Sequence, residues 1–271
     1  MRLLIVGAAG RMGLAIARET LASPDLRVVG AIDHAGSPAQ GRDLGTLAGV
    51  AAFGVTVGAD LAATLGDAAT RPDVVIDFSS PAATAGHLAT CAEQGVALLV
   101  GTTGLDAGVE AAVAKAAARV PVLVAPNTSV GVTLLIELVR AAARALPAGH
   151  DIEIIEAHHP AKRDSPSGTA LALGRAAAQG RGVDWDAVRL PADRAGPRPE
   201  GGIGFAVLRG GDTVGEHEVR FLADGEVVTL GHRATDRSIF ARGALEAARW
   251  LSGRSPGRYS MVDVIGLKTI G

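Results

Sequence analysis

The 271-residue chain has a single cysteine, Cys91, so no disulfide can form within it, and a redox motif of paired thiols is excluded. It has little net charge, −2 with histidines neutral, and therefore no general attraction to nucleic acid or anionic lipid. No apolar run reaches the roughly 18 residues a membrane helix needs, because Gly, Pro or a charged residue interrupts each candidate. Internal repeats and low-complexity stretches are also missing. The sequence opens into the strand-like MRLLIVGAAG with no signal-peptide pattern, so the expected location is cytoplasmic, with no membrane and no nucleic-acid partner.

What is present is a large apolar fraction, 48%, beside 20% charged residues, enough for a substantial core in two packed units. Short Val/Ile/Leu runs at Arg2–Val6, Arg27–Asp33, Val74–Phe78, Ala97–Val100 and Val120–Ala125 read as buried parallel strands. Ala-rich amphipathic stretches at Met12–Leu21, Ala82–Gln94, Ala107–Ala118 and Val132–Leu146 separate or follow them, while 53–69 has no clear period. The expected fold is α/β: a Rossmann-type doubly wound parallel sheet with a second α+β domain. That second domain begins where Asp151–Ala157 alternates polar and apolar residues, followed by a helix over Gly168–Gln179. Three period-two runs, Ile203–Leu208, Glu216–Leu222 and Val227–His232, predict a mixed or antiparallel sheet, with Asp224-Gly225 as a hairpin turn. The Pro/Gly-rich segment Asp193–Gly202 reads as a long loop. The expected organisation is a dinucleotide-binding domain over 1–128, a substrate-binding and oligomerisation domain over 129–236, and a return to the first domain over 237–271. That return comprises a helix at Ser238–Leu251 and the run Val262–Leu267.

Gly7-Ala8-Ala9-Gly10-Arg11-Met12-Gly13 lies where a strand turns into a helix, and small residues there let backbone N–H groups approach a pyrophosphate. The spacing is G-x-x-G-x-x-G, because Ala8 occupies the position of the first glycine of the standard fingerprint. Asp33 stands twenty positions after Gly13, where an acid can accept hydrogen bonds from a ribose. Arg11 and His34 are close enough to meet a 2′-phosphate, yet Asp33 would repel one, so NADH and NADPH are both left open. Gly101-Thr102-Thr103-Gly104 and Ala125-Pro126-Asn127-Thr128 end two further strands on the same carboxyl edge, where they would line a nicotinamide pocket.

The stretch Glu156–Ala170 brings two histidines, Lys162, Arg163 and a helix-start signal to the end of one strand. A dicarboxylate needs cationic or N–H recognition, which Gly168 and Thr169 after the capping Ser167 supply. Reduction of an imine by hydride needs a proton donor, and Lys162 and His158 are the natural candidates. No metal is expected, since the His158-His159 pair lacks a third ligand at suitable spacing and a cysteine partner. Cys91 lies inside a predicted helix and reads as a buried small residue.

These segments resemble the 4-hydroxy-tetrahydrodipicolinate (dihydrodipicolinate) reductase family over essentially the whole chain. The motifs are GAAGRMG at 7–13, IDFSSP at 76–81, GTTG at 101–104, NTSVG at 127–131, EAHHPAKRDSPSGTA at 156–170 and GDTVGEH at 211–217, together with Asp33. The resemblance implies NAD(P)H-dependent reduction of a small dicarboxylate heterocycle in the diaminopimelate route to lysine, with loss of a hydroxyl as water. It implies catalytic roles for His158 and Lys162 and substrate contacts from His159, Gly168 and Thr169. Cofactor contacts would come from Gly7, Ala8, Ala9, Gly10, Arg11, Met12, Asp33, His34, Gly101, Thr102, Thr103, Ala125, Pro126, Asn127 and Thr128, and the assembly would be a homotetramer. Thr128 stands where the family often carries a larger apolar residue, and His34 where some members carry Arg. The two readings set against it are another two-domain dehydrogenase and a non-catalytic dinucleotide sensor. A phosphorylating semialdehyde dehydrogenase would need a better-placed cysteine, and a regulator a nucleic-acid module.

Overall fold

The computed structural model describes residues 1–267. The described chain divides into two units, Met1–Ser129 with Ser238–Gly266, and Val130–Arg237. The end of the expected return segment, 268–271, lies outside the described residues.

In the first unit the strands are β1 (Arg2–Val6), β2 (Arg27–Ile32), β3 (Val57–Gly58), β4 (Val74–Asp77), β5 (Ala97–Val100), β6 (Pro121–Val124) and β11 (Gly257–Tyr259). The helices are α1 (Arg11–Thr20), α2 (Leu44–Leu47), α3 (Leu61–Gly66), α4 (Pro81–Gln94), α5 (Ala107–Ala117), α9 (Ser238–Leu251) and α10 (Met261–Val264). The seven strands are all parallel, in the order β11-β6-β5-β4-β1-β2-β3. Both faces of this sheet are covered, which is why its strands read as continuous apolar runs. Leu3, Ile5, Ile76, Leu99 and Leu123 pack with residues of α1 and α9, while Leu4, Val6, Val75, Leu98 and Val122 pack with α3, α4 and α5. The chain leaves β1 for β2 on one side and later returns to β4 on the other, so the strand order reverses between β1 and β4. Crevices outside the carboxyl ends at such a reversal are where ligands of open α/β sheets bind.

The second unit holds α6 (Val130–Ala145), β7 (Asp151–His158), α7 (Gly168–Arg181), α8 (Trp185–Val188), β8 (Ile203–Arg209), β9 (Gly215–Ala223) and β10 (Glu226–Ala234). Its sheet runs β10-β9-β7-β8 and is mixed: β7 is parallel to β8 and antiparallel to β9, and β9 and β10 form the hairpin. Ile152, Ile154, Phe205, Val219 and Phe221 face α6 and α7 through Leu135, Val139, Leu173 and Ala177. The other face is only partly apolar and leaves Leu208 57% and Val227 55% exposed.

The unperiodic stretch 53–69 holds β3 and α3, elements of two and six residues, too short for a hydrophobic repeat to show. The run Val262–Leu267 begins as the short helix α10, started by Asp263, which accepts from both the N–H and the hydroxyl of Ser260. The edge strand β11 and helix α8 have no signature in the sequence, since Gly257-Arg258-Tyr259 carries no apolar run. The loop Asp193–Gly202 is fastened by Arg194 and Arg198, both bonded to Glu153. No helix among the described residues is long and apolar enough to cross a membrane.

Candidate active site

The glycine-rich turn follows β1 directly and leads into α1, whose N-cap is Gly10. Gly7 has φ +72°, and a Cβ on it would lie 2.5 Å from the Phe78 carbonyl oxygen at the end of β4. On Gly13 a Cβ would meet the Gly7 and Ala8 carbonyl oxygens at 2.4 and 2.6 Å. Backbone therefore packs on backbone across the strand reversal, which is the close approach a pyrophosphate cradle requires. The close backbone packing at Gly7 and Gly13 fits a dinucleotide.

Asp33 follows β2 with its side chain 12% exposed. One carboxylate oxygen accepts from the Ala9 N–H at 2.9 Å and the other from the His34 N–H at 2.8 Å, so the acid secures the glycine turn. The His34 side chain is 73% exposed. Asp33→Ala is accordingly expected to weaken NADH binding more than NADPH binding, because it removes a ribose acceptor for one and a repelling charge for the other. Equal effects on the two dissociation constants, by fluorescence titration, would count against a ribose contact.

Gly101 sits beneath the Phe78 ring, where a Cβ would fall 2.3 Å from ring carbons, and its N–H donates to the Asp77 carbonyl. Thr102 is buried and its hydroxyl has no protein partner, whereas Thr103 is exposed. In the second strand-end loop Ala125 is buried and Asn127 accepts from the Ser129 N–H. Thr128 is 2% exposed and its hydroxyl donates to the Phe240 carbonyl at 2.6 Å, so that side chain ties the loop to α9. Sequence reasoning passed over Asp77, fully buried and 2.9 Å from His87 Nδ1, which also accepts from the Ser79 N–H. Cys91 in α4 is buried, and burial followed by the nearby Asp77 charge pushes its thiol up to about 12, so it is no nucleophile.

In the second unit the strand alternation of β7 turns Glu156 and His158 toward the covered face, both buried. Glu156 Oε1 accepts from the Ser167 N–H at 2.8 Å and from Arg209 at 3.2 Å. Its Oε2 lies 2.8 Å from His158 Nδ1, although the two are not in line for an ideal hydrogen bond. His217, across the ladder on β9, places Nε2 3.1 Å from the Ser167 hydroxyl and its ring edge-on to His158 at 5.1 Å. Ser167 caps α7 by accepting from the Ala170 N–H. Lys162 donates to both oxygens of Asp164, at 2.8 and 2.9 Å, and the nearby Gly168 N–H adds a small further lowering of the Asp164 carboxyl. A carboxylate thus sits on Lys162 close to the start of α7. Thr169 follows in the first turn of the same helix. His159 Nε2 is 2.7 Å from a guanidinium nitrogen of the exposed Arg237.

Burial pushes the Glu156 carboxyl up, but hydrogen bonds from Ser167 and Arg209 outweigh it and hold the group below the usual range. Burial lowers His158; Glu156 opposes that shift, while Lys162 and Arg209 add to it. The Lys162 hydrogen bond lowers Asp164 against a smaller burial effect. Burial, then the neighbouring His158, brings His217 down from 6.5 to about 4. The unfolded chain takes up a proton at this histidine near 6.5 and the folded chain only near 4, so stability falls as pH drops through that window. We expect a loss of up to about 3 kcal/mol there, and a flatter dependence in His217→Gln, both read by denaturant unfolding at several pH values.

The structure brings His158, Lys162, Gly168 and the Ser167 cap into one neighbourhood and pairs His159 with Arg237. The expectation of no third ligand rested on local spacing, and here it is corrected: His217 arrives from β9, and potential ligand atoms of Glu156, His158 and His217 lie within 4.8 Å of one another. Arg209 supplies the charge balance for Glu156, and no metal need be invoked to hold these groups. Arg209, His217 and Arg237 were missed because each comes from a distant segment; GDTVGEH at 211–217 was the one signal pointing to His217.

Residues 1–128 match the family model described as dihydrodipicolinate reductase, N-terminus, and residues 131–265 match the one described as its C-terminus. The chain is 51% identical over 275 residues to a 4-hydroxy-tetrahydrodipicolinate reductase of Anaeromyxobacter dehalogenans (strain 2CP-1 / ATCC BAA-258), with 98% of each chain covered. It is 50% identical over 270 residues to the protein of that name from Rhizobium meliloti (strain 1021), again covering 98% of each. Among solved structures its fold is similar to a dipicolinate-bound dihydrodipicolinate reductase from Paenisporosarcina sp. TG-14, with TM-score 0.77 and 24% identity over 97% of this chain and 98% of that one.

Proposed function

The chain belongs to the dihydrodipicolinate reductase family, and we infer that it reduces 4-hydroxy-tetrahydrodipicolinate to tetrahydrodipicolinate with NAD(P)H, a step toward diaminopimelate and lysine. The reaction consumes one NAD(P)H and one proton and releases water from the 4-hydroxyl. The observation that carries the assignment beyond family membership is the placing of Lys162, bound to the Asp164 carboxylate, near the start of α7, because a substrate carboxylate needs such a cation and such N–H groups.

The first unit would hold the dinucleotide through Gly7, Ala8, Ala9, Gly10, Arg11, Met12 and Asp33, with Gly101–Thr103 and Ala125–Thr128 beside the nicotinamide. His34 is placed for the ribose side and Thr128 contributes through its backbone. When bound, the cofactor supplies a hydride. In the second unit Gly168 and Thr169 receive one carboxylate, and His159 with its neighbour Arg237 offers a site for the other. Lys162 and His158 act as proton donors, making the conjugated ring more electrophilic and completing the reduction. No catalytic metal is assigned.

Consumption of NADH and NADPH with freshly generated 4-hydroxy-tetrahydrodipicolinate tests this reading; a well-folded protein that oxidised neither would sink it. We place the protein in the cytoplasm and assign it a homotetramer joined through the uncovered face of the second sheet, where Leu208 and Val227 are exposed. A mass measurement in solution is expected to give four chains, and a stable monomer would refute the assembly.

A further inference from the structure

A carboxylate buried on the core face of a strand calls for an explanation, because an apolar side chain would fill the position at no electrostatic cost. Ile152 and Ile154 do so on the same face of β7, and Glu156, 1% exposed, is the next residue in that row. Its two oxygens are used differently. Oε1 holds the Ser167 N–H, the residue that caps α7, and Oε2 stands 2.8 Å from His158 Nδ1.

We propose that Glu156 is a positioning residue of the reaction: through one side chain it sets which nitrogen His158 presents and fixes the start of α7 relative to that imidazole. The proposal rests on His158 acting as a proton donor and α7 as the anion site. With Oε2 only 2.8 Å from Nδ1, though out of line with it, the negative charge favours the neutral tautomer protonated on Nδ1 and leaves Nε2 as the working atom. The surroundings of Nε2 agree, since the residue beside it is Gly215, where a Cβ would lie only 3.1 Å away.

The charged and titratable groups around His158 are Glu156 on β7, His217 on β9, Arg209 on β8, and Lys162 and Asp164 between β7 and α7. His217, held neutral by burial, has Nε2 3.1 Å from the Ser167 hydroxyl and only 3.9 Å from Glu156 Oε2, farther than the 2.8 Å of His158 Nδ1. Arg209 balances that charge from the far side and also donates to the Asp164 carbonyl at 2.8 Å. Glu156 is the larger of the two charges that favour a protonated His158, Asp164 being the other, while Lys162 and Arg209 oppose it.

The test uses the isotopically labelled full chain without ligand, with the His158 resonances assigned by comparison with His158→Gln. The native protein is expected to show the Nδ1–H tautomer, and in Glu156→Gln His158 is expected to titrate at lower pH. Turnover in that variant is expected to fall roughly 10–100-fold, with the matching limb of its pH profile displaced downward and NAD(P)H affinity unchanged. An Nε2–H tautomer in the native protein, or a His158 titration unmoved in the variant, would overturn the proposal. If Glu156→Gln does not fold, Glu156→Asp carries the same measurement: its shorter arm cannot reach both partners, so either the His158 titration or the substrate KM must shift, and constancy of both would also overturn it. The resonance measurements need no substrate, so they stand apart from whether the reduction itself is observed.

Discussion

Replacing Lys162 with methionine is expected to lower turnover by about 10²–10⁴ while leaving NAD(P)H affinity little changed. The methionine keeps most of the side-chain length and removes the only charge, so the loss isolates what the ammonium does. In the resting protein that ammonium is gripped by Asp164, and the side chain is 23% exposed, so deletion leaves no deeply buried orphan and the fold should survive. Two secondary signs accompany the loss. Asp164 titrates higher, since the Lys162 hydrogen bond is the largest influence holding it down. His158 also titrates higher, because a neighbouring positive charge has gone. Full steady-state activity in Lys162→Met would remove this residue from proton transfer, whatever the titrations show.

The second large effect is expected at Gly7. Alanine there must adopt φ +72°, which costs about 1–2 kcal/mol, and its methyl group would press on the Phe78 carbonyl at 2.5 Å, adding about 1–3 kcal/mol. Neither atom belongs to a flexible side chain that could swing aside. The expected outcome is a loss of about 2–5 kcal/mol in unfolding free energy, together with a marked drop in dinucleotide affinity as the turn retreats from β4. Chemical denaturation and cofactor titration of the same preparation measure both. Native stability and native affinity in Gly7→Ala would show that the turn has slack the structure does not display.

The parallel sheet was legible because its strands are buried on both faces and leave unbroken Val/Ile/Leu runs, and the turn between β1 and α1 announces itself by three glycines in seven residues. The second sheet was legible by alternation, with Asp224-Gly225 marking its hairpin. The elements β3, β11 and α8, two to four residues long and without an unbroken apolar run, were not, because a period cannot be seen within one repeat. The site divides the same way. His158, Lys162 and the Ser167-Gly168-Thr169 start of α7 lie within twelve residues and could be read together. His217, Arg209 and Arg237 are brought in by strand pairing and by the end of β10, and nothing local relates them to the histidines. The spacing from Gly13 marks Asp33 as a ribose acceptor, while its bond to the Ala9 N–H is a contact across a βα turn that spacing alone does not reveal.

That bond has a bearing on how cofactor choice can change in this protein. The same carboxylate that would discriminate between the two dinucleotides also fastens the loop proposed to receive their shared pyrophosphate. An altered preference obtained at Asp33 would therefore come with a looser grip on either cofactor, whereas His34 projects into solvent with no such duty. Cofactor choice and cofactor retention are mechanically linked at one position and separable at the next, so adaptation toward NADPH has an easier route through His34 than through Asp33.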